Sequence, residues 1–220
     1  MPALRAVLFD LDGTLVRYRG VDFESSWGAI AAAAGVGQAS QKLLQRYLPQ
    51  RGAYAEWVRE DAALLAGIPL SKVAAGVFPP PLAEGVRDAV ARLRDRYVLG
   101  IVSSGVALVA DRVCEELGLD FAIANVLTVE NGRFTGGSEL NVDLWGKANV
   151  VRHIARDNNW RLREVCYVGD HFNDVPVLRM VGLGIAVHVK DPAVAEASSI
   201  VASGFQEIPE LVASFEHGAV

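Results

Sequence analysis

The run Ala6-Val7-Leu8-Phe9 is apolar at every position and stops abruptly at Asp10-Leu11-Asp12-Gly13-Thr14. Such a run, ended by turn residues, reads as a strand buried on both faces, the kind found inside a parallel sheet. Charge therefore lies where a buried strand ends. Side chains two apart on an extended chain point the same way, so Asp10 and Asp12 share one side, and Gly13 lets the backbone turn sharply beneath them. Two carboxylates so close repel, and something positive must lie near them. A hard divalent cation with oxygen ligands, magnesium above all, meets that need and would also gather a phosphate.

Beyond Val16 the pattern changes. Arg17-Tyr18-Arg19-Gly20 is a polar connector, and from about Asp22 to Val77 apolar residues recur at helical spacing. An alanine-rich helix capped by Ser25 or Ser26 ends at Gly35-Val36-Gly37, and helices over 38–48, 53–66 and 70–77 follow. Phe78-Pro79-Pro80-Pro81 forms a stiff return. Strands and helices then alternate: helix 82–96, strand 97–103, helix 106–117, strand 121–125. A hairpin over 126–137 turns on Asn131-Gly132. Next come helix 146–157, strand 165–168, helix 173–181, strand 184–187 and a short strand and helix from Ser199. This order predicts an α/β fold with a doubly wound, mainly parallel, Rossmann-like sheet. Residues 1–16 and 80–220 form the core, and 17–79 form an inserted small helical domain.

The chain has 220 residues, 51% of them hydrophobic, enough to bury a substantial interior. Its net charge of −5 provides no basic footprint for a nucleic-acid backbone. Any substrate phosphate must be held by a few local cations. Cys114 and Cys166 cannot make a disulfide framework and read as small buried hydrophobes. No charged leader and no apolar run of about 18 residues is seen, so a cytoplasmic protein without a membrane partner is expected.

In open α/β sheets functional residues gather at the carboxyl ends of the strands. Asp10 ends the first strand, Ser103 ends the run from Val98, and Asp170 follows the apolar run through Val168-Gly169. Ser103 or Ser104 can cap the helix expected to begin at Gly105 or Val106, or can hold an anion beside its free amides. Lys147 stands at a predicted helix start, where a cation opposes the macrodipole and needs a nearby anion to justify it. Asn173 and Asp174 begin another helix and can cap it or serve a site. Trp27, Tyr54 and Trp57 read as the helical module's own core, His171 as an exposed side chain, and Trp145 as either a wall of the site or packing.

Asp10-Leu11-Asp12-Gly13-Thr14 resembles the first motif of the haloacid dehalogenase-like hydrolase superfamily, Ser103-Ser104-Gly105 the second and Lys147 the third. Gly169-Asp170-His171-Phe172-Asn173-Asp174 resembles the fourth, close to the Gly-Asp-Gly-x-Asn-Asp form of one branch, with His171 in place of glycine. Residues 125–136, and a helical insert between the first and second motifs, resemble the phosphoserine phosphatase-like branch.

The resemblance implies a magnesium-dependent phosphatase of a small phosphorylated metabolite, phosphoserine or a similar one. Asp10 would be the nucleophile, Asp12 the acid/base and Lys147 the balancing charge. Ser103, Ser104, Gly105 and Asn173 would hold the substrate phosphate. Asp10, the main chain of Asp12, Asp170 and Asp174 would serve Mg2+, Asp174 by fixing a metal-bound water or the lysine. The insert would be a cap that closes over the site on two hinges, in a monomer or homodimer. Phosphotransfer to an alcohol, and phospholigand binding without turnover, are the alternatives. The branch recognises phosphoserine through a cap glutamate and a cap arginine. Here Glu24 is no secure counterpart of the first, Arg59 is the candidate cation, and Asp61 falls where the arginine is expected, which loses or inverts that charge.

Overall fold

The computed structural model describes residues 3–19 and 23–218; Gly20 and Asp22, at the expected end of the connector and start of the helical module, lie outside the described residues. Seven strands form one sheet: β1 (Ala6–Phe9), β2 (Val98–Val106), β3 (Phe121–Glu130), β4 (Arg133–Glu139), β5 (Val165–Gly169), β6 (Leu183–Val187) and β7 (Ile200–Ala202). Their spatial order is β4-β3-β2-β1-β5-β6-β7, and every pairing is parallel except β3 with β4. The chain builds outward from β1 through β2 and β3, then returns to the other side of β1 with β5. That reversal opens a crevice at the carboxyl end of the centre.

β1 is buried on both faces, and the alternation of its side chains divides the interior into two cores. Val7 and Phe9 join Leu99, Ile101, Val168 and Ile185 on one face, whereas Ala6 and Leu8 join Val102, Val165, Tyr167 and Ala186 on the other.

Ten helices are described: α1 (Ser26–Ala34), α2 (Gly37–Tyr47), α3 (Tyr54–Ala63), α4 (Leu70–Val77), α5 (Val86–Leu93), α6 (Ala107–Leu117), α7 (Lys147–Asp157), α8 (Val175–Leu178), α9 (Pro192–Ala197) and α10 (Ile208–Glu216). On the first face lie α5, α6 and α10; on the second lie α7, α8 and α9. Helix α7 buries Ala148, Val151, Ile154 and Ala155, a spacing of three and four that forms one apolar stripe.

Several boundaries differ from the sequence expectation. α5 starts at Val86 rather than Leu82, because Leu82 pairs with Val16 and the Ala83 amide donates to the Leu15 carbonyl at 2.9 Å. The expected helix 173–181 is a 3-10 turn, Phe172–Asp174, followed by the short α8. α9 went unread, although Asp191 caps it by accepting the Ala193 amide at 2.9 Å and Pro192 opens it.

Helices α1 to α4 lie between β1 and β2 in sequence. Their entry and exit run side by side, with the Arg17 amide donating to the Pro81 carbonyl at 2.9 Å. The β3–β4 hairpin turns at Asn131 (φ 50°) and Gly132 (φ 72°), as a two-residue turn of the I′ kind requires. Its far side is laced to the α3–α4 connection: Gly67 N–H donates to Phe134 O, Phe134 N–H to Ile68 O and Leu70 N–H to Gly132 O.

Candidate active site

β1 stops at Asp10 because the chain turns there, with Gly13 at φ +88°. A Cβ at Gly13 would collide with the Asp170 carboxylate, so only glycine lets the β1 turn and the β5 end approach this closely. Thr14 Oγ1 donates to Asp170 Oδ1 at 2.8 Å and ties the two strand ends together. β2 runs on to Val106 instead of ending at Ser103. Its pairing with β3 passes from Val102↔Ile123 to Val106↔Asn125, so three residues of β2 stand against one of β3. Ser103, Ser104 and Gly105 are those three, in a bulge that re-aims them at the sheet edge.

Lys147 is fully buried, with Nζ 2.8 Å from Asp10 Oδ1 and 2.6 Å from Asp174 Oδ1. These two carboxylates are the anions its place at the start of α7 demands. Asp174 is saturated: Oδ1 also accepts the Tyr167 hydroxyl at 2.8 Å, and Oδ2 accepts the amides of Asp170 at 3.0 Å and His171 at 3.1 Å. Carboxylate oxygens of Asp10, Asp170 and Asp174 all lie within 4.8 Å of one another. With all three ionised, the carboxylates against one ammonium would leave an excess of two negative charges where almost no water reaches. The hard-oxygen donor set and that charge excess fit a divalent cation, with Asp10 and Asp170 the carboxylates free to touch it.

The electrostatics follow from this crowding. Burial drives the Asp10 carboxyl up to about 7 against the pull of Lys147, and Asp174 adds to the rise. Burial also lifts Asp170 well above the carboxylate range, reinforced by Asp10 and Asp174. Burial alone would discharge Lys147, but Asp10 and Asp174 hold it above the ordinary lysine range. Asp12 is lifted to about 6 by burial, with Ser26 opposing. A carboxyl so placed can both give and take a proton near neutrality.

Ser26, expected only as a possible helix cap, belongs to the site. Instead of capping α1, its hydroxyl donates to Asp12 Oδ2 at 2.7 Å and accepts the Val106 amide at 2.9 Å, tying α1, β2 and the β1 turn together. Asp12 Oδ1 is left buried and without a partner. The amides expected to be free at Gly105 and Val106 are both engaged, since Gly105 N–H donates to Ser103 Oγ at 3.0 Å and α6 starts only at Ala107. Gly105 matters for its size: a Cβ there would collide with the Asp12 carboxylate and Ser26 hydroxyl. Asn173 Nδ2 donates to Ser104 Oγ at 3.2 Å, and Asn173 Oδ1 has no partner.

Trp27 and Tyr54 are more than core of the helical module. Trp27 Nε1 at 3.1 Å, Tyr54 OH at 2.5 Å and Asn125 Nδ2 at 2.8 Å all donate to the Ser104 carbonyl. Three donors on one carbonyl lock the bulge to α1 and α3. Helices and strand tips together enclose a cavity of about 910 Å³, lined by Asp10, Asp12, Ser103, Ser104, Gly105, Asp170 and Asn173 on one side. Trp57 and Asp61 line the other side. His171 is half-buried rather than exposed; it lines this cavity and packs against Phe172 and Phe23 at 4.3 and 5.2 Å.

Arg59 is a correction. It is exposed, does not line the cavity, and donates to the Ala55 carbonyl of its own helix at 3.3 Å. The helical period explains this. Tyr54, Trp57, Val58 and Asp61 form one stripe on α3, and Arg59, two residues from both Trp57 and Asp61, falls on the opposite face. Trp145 packs on Phe172 at 4.7 Å and also lies outside the cavity lining.

Fold and site together define an α/β protein that concentrates buried carboxylates and one lysine at the tips of its central parallel strands. The chain belongs to the haloacid dehalogenase-like hydrolase family, whose profile matches residues 7–179. It is 35% identical over 189 residues to a phosphoserine phosphatase of Archaeoglobus fulgidus, an alignment covering 85% of this chain and 53% of the relative, so it spans about half that protein. It is 31% identical to a phosphoserine phosphatase of Methanocaldococcus jannaschii, covering 89% of this chain and 90% of the relative. A solved phospho-aspartyl intermediate analogue of phosphoserine phosphatase superposes with a TM-score of 0.78 at 28% identity, over 96% of this chain and 99% of that one.

Proposed function

We propose that the chain is a Mg2+-dependent phosphatase that hydrolyses a small phosphomonoester through an aspartyl phosphate. The observation that carries this reading is the buried Asp10–Lys147–Asp174 chain of ion pairs, which reaches a cavity large enough for a metabolite through Asp10, beside Asp170. Phosphoserine phosphatases among its relatives support the same chemistry.

Lys147 holds Asp10 through Oδ1, so the second oxygen attacks phosphorus and forms the acyl phosphate. Asp12 in its protonated form gives its proton to the leaving alkoxide from Oδ1, the atom no protein group engages, while Ser26 steadies Oδ2. Once deprotonated, Asp12 takes a proton from the water that attacks the acyl phosphate. Ser103, Ser104, Gly105 and Asn173 border the phosphoryl position, and Lys147 offsets charge on its oxygens. Asp10, the Asp12 main chain and Asp170 would hold Mg2+, with Asp174 acting through Lys147 and the 170–171 amides; the cation supplies charge neutralisation on the phosphoryl oxygens.

Residues 1–16 and 80–220 serve as the catalytic core and 17–79 as a cap moving on the paired connectors at Arg17 and Pro81. A net charge of −5 supports a small-molecule partner over nucleic acid, and among the described residues no helix is long and apolar enough to cross a membrane. We place the chain in the cytoplasm as a monomer or homodimer. Phosphate release from a phosphomonoester panel, with and without Mg2+, tests the reading. Asp10→Asn should abolish release while leaving the far-ultraviolet circular dichroism unchanged; turnover near the wild-type rate would remove the nucleophile assignment.

A further inference from the structure

Asp12 Oδ1, Tyr18 OH, Trp57 Nε1, Asp61 Oδ1, Glu116 Oε2 and Asn173 Oδ1 are buried without a hydrogen-bond partner, and all but Glu116 belong to residues lining the cavity. Native proteins leave few such groups unpaired, and a cluster of them around one cavity marks where a ligand completes the bonding. Asp12 and Asn173 are at the reacting end. Tyr18 is acted on by Asp12 and so stands near them, whereas Trp57 and Asp61, on α3, have no part in the phosphoryl chemistry.

Asp61 is the informative one. It is 6% exposed and sits on the cavity stripe of α3, one turn beyond Trp57. Burial pushes its carboxyl up, the Ser40 and Trp57 side chains oppose that rise, and the charged side chain acting on it is Glu60, of the same sign. No cation pairs with it among the described residues: Arg17 and Lys190 pair with Glu24 at 2.9 and 2.6 Å, Arg46 reaches Glu60 at 3.5 Å, Arg59 faces solvent, and Arg19, which also lines the cavity, is exposed. A hydroxyl from a ligand would satisfy one lone pair and leave the buried charge standing. An ammonium group satisfies charge and hydrogen bonding together, and the neighbouring indole is compatible with it.

We propose that the substrate is the phosphomonoester of an amino alcohol whose ammonium group docks on Asp61, with no carboxylate at that end. A cavity of about 910 Å³ admits an alcohol of amino-sugar size. A carboxylate beside the amine, as in phosphoserine, would meet Asp61 with like charge. This inference rests on the phosphatase reading for turnover, though not for binding.

The test pairs phosphomonoesters that differ only in amine against hydroxyl: 2-aminoethyl against 2-hydroxyethyl phosphate, and glucosamine 6-phosphate against glucose 6-phosphate, with phosphoserine alongside. The amine member of at least one pair should be favoured by about 10-fold or more in kcat/KM, through KM, and phosphoserine should trail 2-aminoethyl phosphate. Asp61→Asn, checked by circular dichroism, should bring the ratio within about 2-fold of unity by losing the amine member alone. The same pairs titrated calorimetrically into intact Asp10→Asn with Mg2+ read selectivity without turnover. Hydrolysis with no amine preference, or a preference that survives Asp61→Asn, overturns the inference and leaves the phosphatase reading intact. Amine-selective binding that Asp61→Asn abolishes, with no hydrolysis of any ester, upholds the inference and overturns the phosphatase reading.

Discussion

Replacing Asp61 by asparagine should stabilise the folded chain relative to wild type by an amount that grows with pH. Burial raises the Asp61 carboxyl from 3.8 to about 6. The folded state therefore holds this proton more tightly than the unfolded one, so wild-type stability falls as pH rises between those two values and levels off above them. A rise of that size corresponds to about 3 kcal/mol at the plateau, and roughly 1.4 kcal/mol of it develops between pH 5 and pH 8. Asparagine carries no such penalty. Its own unpaired amide costs something, but equally at every pH, so that cost drops out of the slope. Urea unfolding of both proteins at pH 5, 6, 7 and 8 measures the gap, which should widen by about 1–2 kcal/mol across the series, and for a chain of this size each kcal/mol shifts the melting temperature by roughly 2–4 °C. Parallel stability curves, or a gap that narrows toward pH 8, would refute the reasoning that Asp61 is an uncompensated buried charge.

Lys147→Met should destabilise the fold by about 3–5 kcal/mol in urea, because Asp10 and Asp174 lose their shared counter-ion. Adding Asp174→Asn should recover part of that loss, and strict additivity of the two would argue against the ion-pair chain. Gly13→Ala should cost more than about 1 kcal/mol through its φ of +88° and should weaken Mg2+ binding by pushing on Asp170, both readable from thermal melts with and without the cation. Chelation should stop phosphate release and lower the melting temperature, and added Mg2+ should restore both; a melting temperature indifferent to Mg2+ would place the cation outside the acidic cluster.

Much of the fold was legible because its signals are local. The apolar run Ala6–Phe9, the Asn131-Gly132 turn and the Gly35 helix stop each act within a few residues, and the structure follows them. α9 was overlooked because six residues carry too short a period to read, although Asp191-Pro192 signalled its start. The extent of β2 was hidden for another reason. Its bulge at Ser103–Gly105 exists only in register with β3, and a single strand shows no register.

The sequence by itself determined which chemistry could assemble, since strand-end carboxylates and an alternating β/α order send Asp10, Ser103 and Asp170 to one edge of a parallel sheet. Only the tertiary structure decided what surrounds them. Lys147 meets Asp10 across 137 positions of sequence, Ser26 at the start of α1 reaches Asp12, and Asp61 turns into the cavity while Arg59 turns out. Contacts of that range depend on how helices pack over the sheet, where a rotation of one residue on a helix moves a side chain by about 100° and exchanges the wall of a cavity for solvent.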